Sequence, residues 1–289
     1  MKRPQIPGLV WLMAGSAVDS TSGVLTRLTA ADGFTTASAR GFCAFVFLFA
    51  VLALRERGRV WPALRGLGRA GLMFACLNAG GMVLNVLSLK FTAVANFFMI
   101  FATAPFVAAL LGWLFLKERL DRATLLAALA GFAGIAIMVS GGLAGVNLGD
   151  VLAGIVVLSY GVNVLILRKV PRLDVLPLIC VTVLASGLIA LPFARFQGLG
   201  PADWGALVTL GFVQLGLGNI LIFTAVSRIT AAQAGLLGIM GAVFAPSWVL
   251  LVMGEVPPVR TLIGGGVILL AGMLHFAWTL SRPAAQPAE

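Results

Sequence analysis

Asp19 stands near the middle of an otherwise apolar run, residues 8–27, with Ser16, Ser20, Thr21, Ser22 and Gly23 around it. A carboxylate among apolar neighbours is costly and defaults to a functional candidate. It could pair with a cationic group on a ligand, or carry a proton. It could equally make a structural hydrogen bond to another helix. The hydroxyls and the glycine beside it loosen a helix and offer further polar contacts.

Two further runs carry polar stripes. Asn78, Met82 and Asn85 share one face, and Asn96, Met99 and Thr103 share another. Each outer pair is seven residues apart, which is two helical turns. A polar stripe edged by adaptable methionine suits a wet cavity for amphipathic solutes. The competing reading is a set of bonds between helices, each contributing about 1 kcal/mol or less. Ser159, the single tyrosine Tyr160, and Asn163 cluster in a later run; Gln214 and Asn219 follow amid glycines, then Gln233, Met240 and Phe244. The expected solute-binding set is Ser16, Asp19, Ser20, Asn78, Met82, Asn85, Asn96, Met99, Thr103, Tyr160, Asn163, Gln214, Asn219 and Phe244.

Other ionisable groups read as structural. Arg40 lies about six residues into its run and either pairs with an acid or reaches the headgroups. Glu118 and Glu255 close apolar runs beside basic residues, as solvated loop carboxylates do, and the lone His275 sits near the end of the last run. The three cysteines, Cys43, Cys76 and Cys180, lie within apolar runs without a CxxC pair, so they read as small packing residues. No HExxH, paired membrane aspartates or phosphate loop is present, so neither an enzyme nor ATP-driven chemistry is expected, and no cofactor or metal.

The elements that must position these residues follow from composition. Of 289 residues, 60% are hydrophobic and 10% charged, whereas a soluble domain carries roughly 25% charged residues. Spanning the hydrocarbon core takes about 20 mainly apolar residues in a helix. Ten such runs are marked: 8–27, 34–54, 70–89, 93–116, 122–141, 149–167, 175–194, 204–226, 231–253 and 259–280. The first is too long for the apolar core of a signal peptide, roughly 7–15 residues. The net charge of +10 does not indicate nucleic acid, because the basic residues sit in short clusters between runs. With a cytoplasmic N-terminus, Arg27, Arg40, Lys90, Arg195 and Arg260 fall toward the outer side and the other basic residues inside. That positive-inside bias puts both termini in the cytoplasm. The arginine-heavy usage points to a bacterial inner (plasma) membrane, with the lipid bilayer and a small molecule as partners and a monomer expected.

The runs also repeat. Leu-Lys90-Phe-Thr92-Ala93 is echoed by Ser-Arg228-Ile-Thr230-Ala231, Leu116-Lys-Glu118 by Met253-Gly-Glu255, and Arg27 by Arg168. The offsets cluster near 140 residues, giving units at 1–143 and 144–281 and a disordered cytoplasmic tail at 282–289. Five helices per unit is an odd number, so the second unit is inverted. Inverted repeats place a solute site near the midplane and permit alternating access.

Two stretches carry a family resemblance: Pro105-Phe-Val-Ala-Ala-Leu-Leu-Gly-Trp-Leu-Phe-Leu-Lys-Glu118 and Val243-Phe-Ala-Pro-Ser-Trp-Val-Leu-Leu-Val-Met-Gly-Glu255. With Arg40 early in the second helix, they make the chain similar to the drug/metabolite transporter superfamily, and most to its EamA-type exporters, over about residues 8–280. The resemblance implies an all-α membrane protein of ten helices in two inverted five-helix repeats. It also implies export of small metabolites: amino acids, with a lean toward aromatic or apolar ones, their analogues, or drugs. One departure stands out. Pro105 precedes Glu118 by thirteen residues, but the matching slot before Glu255 is Ala242, and Pro246 lies one turn later. The fourth and ninth helices are therefore expected to bend at different levels.

Overall fold

The computed structural model describes residues 6–118, 120–140, 147–169, 173–226, 228 and 236–281. Gln233, the tail at 282–289 and most of the second copy of the repeated motif lie outside them. The described residues form helices: α1 Ile6–Asp19, α2 Ser22–Leu28, α3 Gly33–Arg55, α4 Val60–Arg65, α5 Gly68–Phe91, α6 Val94–Phe101, α7 Ala104–Leu116, α8 Arg122–Val139, α9 Leu148–Lys169, α10 Val175–Ala190, α11 Pro201–Thr209, a π-helical stretch Leu210–Leu217, α12 Gly218–Val226, α13 Leu236–Met253 and α14 Val259–Ser281. Eight of the resulting segments are long and apolar enough to cross a membrane, and Ile239–Met253 is a shorter apolar helix.

The caps explain several starts. Asp32 accepts from the Phe34 and Thr35 amides at 2.9 and 3.0 Å and begins α3. Asp121 accepts from Thr124 N at 2.8 Å and begins α8. Burial alone would raise the Asp121 carboxyl, but the Thr124 amide and hydroxyl outweigh it and hold it below its ordinary value. At the opposite terminus, Lys117 adopts a left-handed backbone (φ 54°) that closes α7.

Three segments depart from plain helices. The run expected as one first helix is divided at Ser20 and Thr21, because the Ser20 and Thr21 hydroxyls bond the Ala17 and Val18 carbonyls at 2.9 and 2.6 Å. Such bonds compete with the helical ladder. The fourth span is interrupted at Ala102–Thr103, so Pro105, which lacks a backbone donor, falls in the first turn of α7. Pro246 instead lies inside α13. The eighth span widens into its π-helical stretch at Leu210–Leu217.

Packing is closest where side chains are smallest. The Gly134 and Gly264 backbones of α8 and α14 meet so tightly that a Cβ on Gly264 would sit 2.3 Å from the Gly134 carbonyl oxygen. The main apolar core gathers Phe97, Phe98, Met99 and Ile100 of α6 with Val156 of α9, Ala242 and Val249 of α13 and Ile268 of α14. The bundle has two ends, marked by Arg27 and by Arg55. At the Arg55 end, Arg55 forms ion pairs with Glu56 and with Asp174.

Candidate functional site

A cavity of about 170 Å³ opens where the irregular segments meet. Asp19, at the end of α1, faces it from the division in the first span, and Gln214 faces it from the π-helical stretch. Gln214 donates Nε2 to Asp19 Oδ1 at 2.8 Å, while its own Oε1 is buried with no hydrogen-bond partner among the described residues. Arg40 of α3 completes this wall. It is 4% exposed, and its guanidinium reaches the Met82 carbonyl only at 3.5 Å. Arg40 and Asp19 lie within each other's electrostatic reach, yet no ion pair joins them.

The facing walls differ in character. Asn78, Met82 and Asn85 of α5 present their shared stripe to the cavity, with Ser159 and Tyr160 of α9 and Asn219 of α12 alongside. Phe97, Phe98 and Phe101 of α6 form an aromatic side. Phe97 and Phe98 are edge-on at 5.3 Å, and Tyr160 stands edge-on to Phe101 at 5.6 Å. Tyr160 is 42% exposed despite lying mid-span, as befits a residue on a cavity wall.

Several expected site residues lie elsewhere. Asn96, Met99 and Thr103 do share a face, but not toward the cavity. Asn96 accepts from Thr261 of α14 at 2.7 Å and donates to Asp150 of α9 at 3.4 Å. Met99 fills the space over Gly265, and Thr103 bonds back to the Ile100 carbonyl at 2.7 Å. The three cavity-facing phenylalanines turn this stripe away. Ser16 bonds the Met240 sulfur at 3.9 Å, and Ser20 is spent on the Ala17 carbonyl. Asn163 is buried in α9, with no partner for Oδ1 among the described residues. Phe244 is half-buried in α13, outside the cavity wall. His275 bonds the Thr124 hydroxyl at 2.9 Å and stands edge-on to Phe106.

At the Arg27 end, a polar seam closes the bundle. Asp150 is 6% exposed. It accepts from the Thr92 hydroxyl at 2.5 Å and the Asn147 amide at 3.3 Å, in addition to Asn96. Gly149 approaches the Thr92 backbone so closely that a Cβ would meet its nitrogen at 2.5 Å. Arg27 donates to the Thr92 carbonyl at 2.7 Å and pairs with Glu255 at 3.8 Å. Lys90 reaches the Thr29 carbonyl at 2.9 Å, and Asp203 accepts from the Ala30 amide at 2.7 Å. Glu255 lies exposed in the loop after α13, as expected of a solvated carboxylate, and its contact with Arg27 is a long one. α1 packs on α12 and α13, whereas α9 packs on α5 and α7.

Arg40, Asp150 and the three phenylalanines were not in the expected binding set. Arg40 was visible as a charge within an apolar run, and its position on a wall needed the fold. Asp150 opens its run, where an acidic residue reads as an ordinary helix start.

Comparison with known proteins agrees with this architecture. The EamA-like transporter family matches the chain twice, at residues 6–140 and 147–276. A curated relative, the pseudopaline exporter CntI of Pseudomonas aeruginosa (strain UCBPP-PA14), is 28% identical over 173 residues. That match spans 58% of this chain and 61% of the relative. A solved crystal structure superimposes with a TM-score of 0.64 at 18% identity, covering 96% of this chain and 98% of its own, a likeness of fold alone.

Proposed function

The chain belongs to the EamA-like transporter family, and we propose that it is a secondary transporter carrying small amphipathic metabolites, amino acids foremost, out of the cell. The observation that carries this reading is the cavity itself. Charged and amide groups line one side and phenylalanine rings the other, a match for a solute with a polar head and an apolar body. The lean toward aromatic or apolar amino acids rests on those rings. Its volume of about 170 Å³ is below the roughly 300–1,000 Å³ of pockets that take drug-sized ligands, which favours metabolites over bulky drugs. Export is the direction named for the similar pseudopaline exporter.

The eight long spans, the Ile239–Met253 helix and the divided first segment together make ten crossings. Five crossings per repeat invert the second repeat and return both termini to the cytoplasm. The basic residues near Arg55 then assign that end to the cytoplasm and the Arg27 end to the outside. In this orientation the polar seam closes the outer end, and alternating access requires it to part. Asp19 is the coupling candidate, since it is the carboxylate on the cavity wall.

Reconstitution in vesicles tests the reading. Saturable counterflow of labelled phenylalanine or another amino acid is expected. Flux that rises without saturation would mean a channel, and absence of flux for every amino acid would remove that substrate class.

A further inference from the structure

Resting on that reading, we infer that Arg40 is the anchor for a substrate carboxylate, and that the site selects solutes bearing a free carboxylate and an ammonium group together. The unmet hydrogen-bonding capacity of the wall carries this. A guanidinium offers five N–H donors in a planar fork that matches a carboxylate with two parallel bonds. Arg40 is 4% exposed, faces the cavity, and among the described residues uses that fork on one long contact, 3.5 Å to the Met82 carbonyl. A charged group so deprived of partners is expensive unless something else supplies acceptors.

The opposite need lies on the same wall. Asp19 Oδ1 accepts from Gln214, and the buried Gln214 Oε1 accepts nothing among the described residues. Acceptors there suit an N–H donor, best a cationic one. Arg40 and Asp19 both line the cavity and no ion pair joins them, so one wall presents a positive and a negative group to the same space. An α-amino acid carries its two charges a few bonds apart and would satisfy both groups at once. Its side chain would then lie toward Phe97, Phe98 and Phe101. A solute with only one of the two charges leaves either Arg40 or the Asp19–Gln214 pair unsatisfied.

The test uses the full-length protein in vesicles with three compounds of one shape: phenylalanine, phenethylamine, which lacks the carboxylate, and hydrocinnamate, which lacks the ammonium. The parent is expected to accept phenylalanine about tenfold or more better than either, the usual size of a lost charged hydrogen bond. Arg40→Gln should raise KM for phenylalanine about tenfold or more and leave phenethylamine unchanged, so that the preference disappears. Arg40→Lys should restore part of it, because the charge returns without the fork. Equal losses for all three compounds in Arg40→Gln would make Arg40 structural and overturn the inference. So would a parent that accepts phenethylamine as well as phenylalanine, or that carries uncharged solutes and none of the three. In both of those cases saturable counterflow of the accepted solute would leave the transporter reading intact. Absence of saturable flux for any solute would remove both.

Discussion

The Gln214 amide and the Asp19 carboxylate, 195 residues apart in the chain, meet at 2.8 Å where both of their segments leave regular α-helix. The first span is divided just after Asp19, and the eighth is wound as a π-helix around Gln214. A π stretch fits an extra residue into the turn and recurs at functional sites. One residue of rewinding turns a side chain by about 100° around the helix, which would carry Gln214 off Asp19. The bond and the irregular winding therefore support each other.

Replacing Gln214 by leucine removes the donor and leaves the Asp19 carboxylate short of a partner. Gln214→Leu is expected to destabilise the protein by about 1–3 kcal/mol, read as a lower thermal midpoint in detergent. An unchanged midpoint would mean that the bond contributes nothing net.

Asp19→Asn keeps the shape and removes the charge. In vesicles the parent should transport at a rate that depends on pH, and the variant at a lower, pH-independent rate. A variant that follows the parent at every pH would end the coupling role for Asp19.

Removing the Asp150 carboxylate unties Thr92 and Asn96 from α9. In a background with Cys43, Cys76 and Cys180 replaced by alanine, Asn85→Cys reports access to the cavity. Adding Asp150→Ala should speed its labelling by an impermeant maleimide from outside severalfold. Labelling at the original rate would show that the seam does not hold that end shut.

Two neighbouring glycines of α14 should respond in opposite ways. Gly264→Ala forces a methyl against the Gly134 carbonyl at 2.3 Å and should cost about 1–3 kcal/mol. A Cβ on Gly266 meets nothing within 4 Å, so Gly266→Ala should be close to neutral. Equal midpoints for the two variants would contradict the close approach of α8 and α14.

Asp32 offers a pH test outside the spans. Burial tends to raise its carboxyl, but the Thr35 hydroxyl and the Thr35 and Phe34 amides outweigh burial and hold it below its ordinary value. A carboxyl lowered on folding contributes stability above its unfolded value, and that contribution is lost as pH falls through the folded one. Asp32→Ala should thus cost about 1 kcal/mol at neutral pH and progressively less in acid. A cost that stays constant into strong acid would assign the effect to something other than the ionised cap.

Much of the architecture could be read in advance, because apolar length is a direct consequence of a lipid surrounding and the family unit is repeated within the chain. Periodicity also grouped Asn78 with Met82 and Asn85, and Asn96 with Met99 and Thr103. Both groups do share faces. Which neighbour a face meets is a property of the whole bundle, so the first stripe borders the cavity and the second meets α9 and α14. Arg40 failed to stand out for the same reason. Its depth along the helix was legible, but the Asp19 and Gln214 groups that share its wall come from other helices. The division at Ser20 and Thr21 was foreshadowed by their hydroxyls, whereas the π winding around Gln214 has no marker in residue type.

Trp248 gives its indole N–H to the Ala17 carbonyl at 3.1 Å, so a residue of the second repeat plugs the gap in the first helix. The same oxygen also accepts from the Ser20 hydroxyl at 2.9 Å, so the break in the first span and the second repeat share one acceptor. Any swing of α13 away from α1 would leave that carbonyl to Ser20 alone, which ties movement between the repeats to a bond at the break.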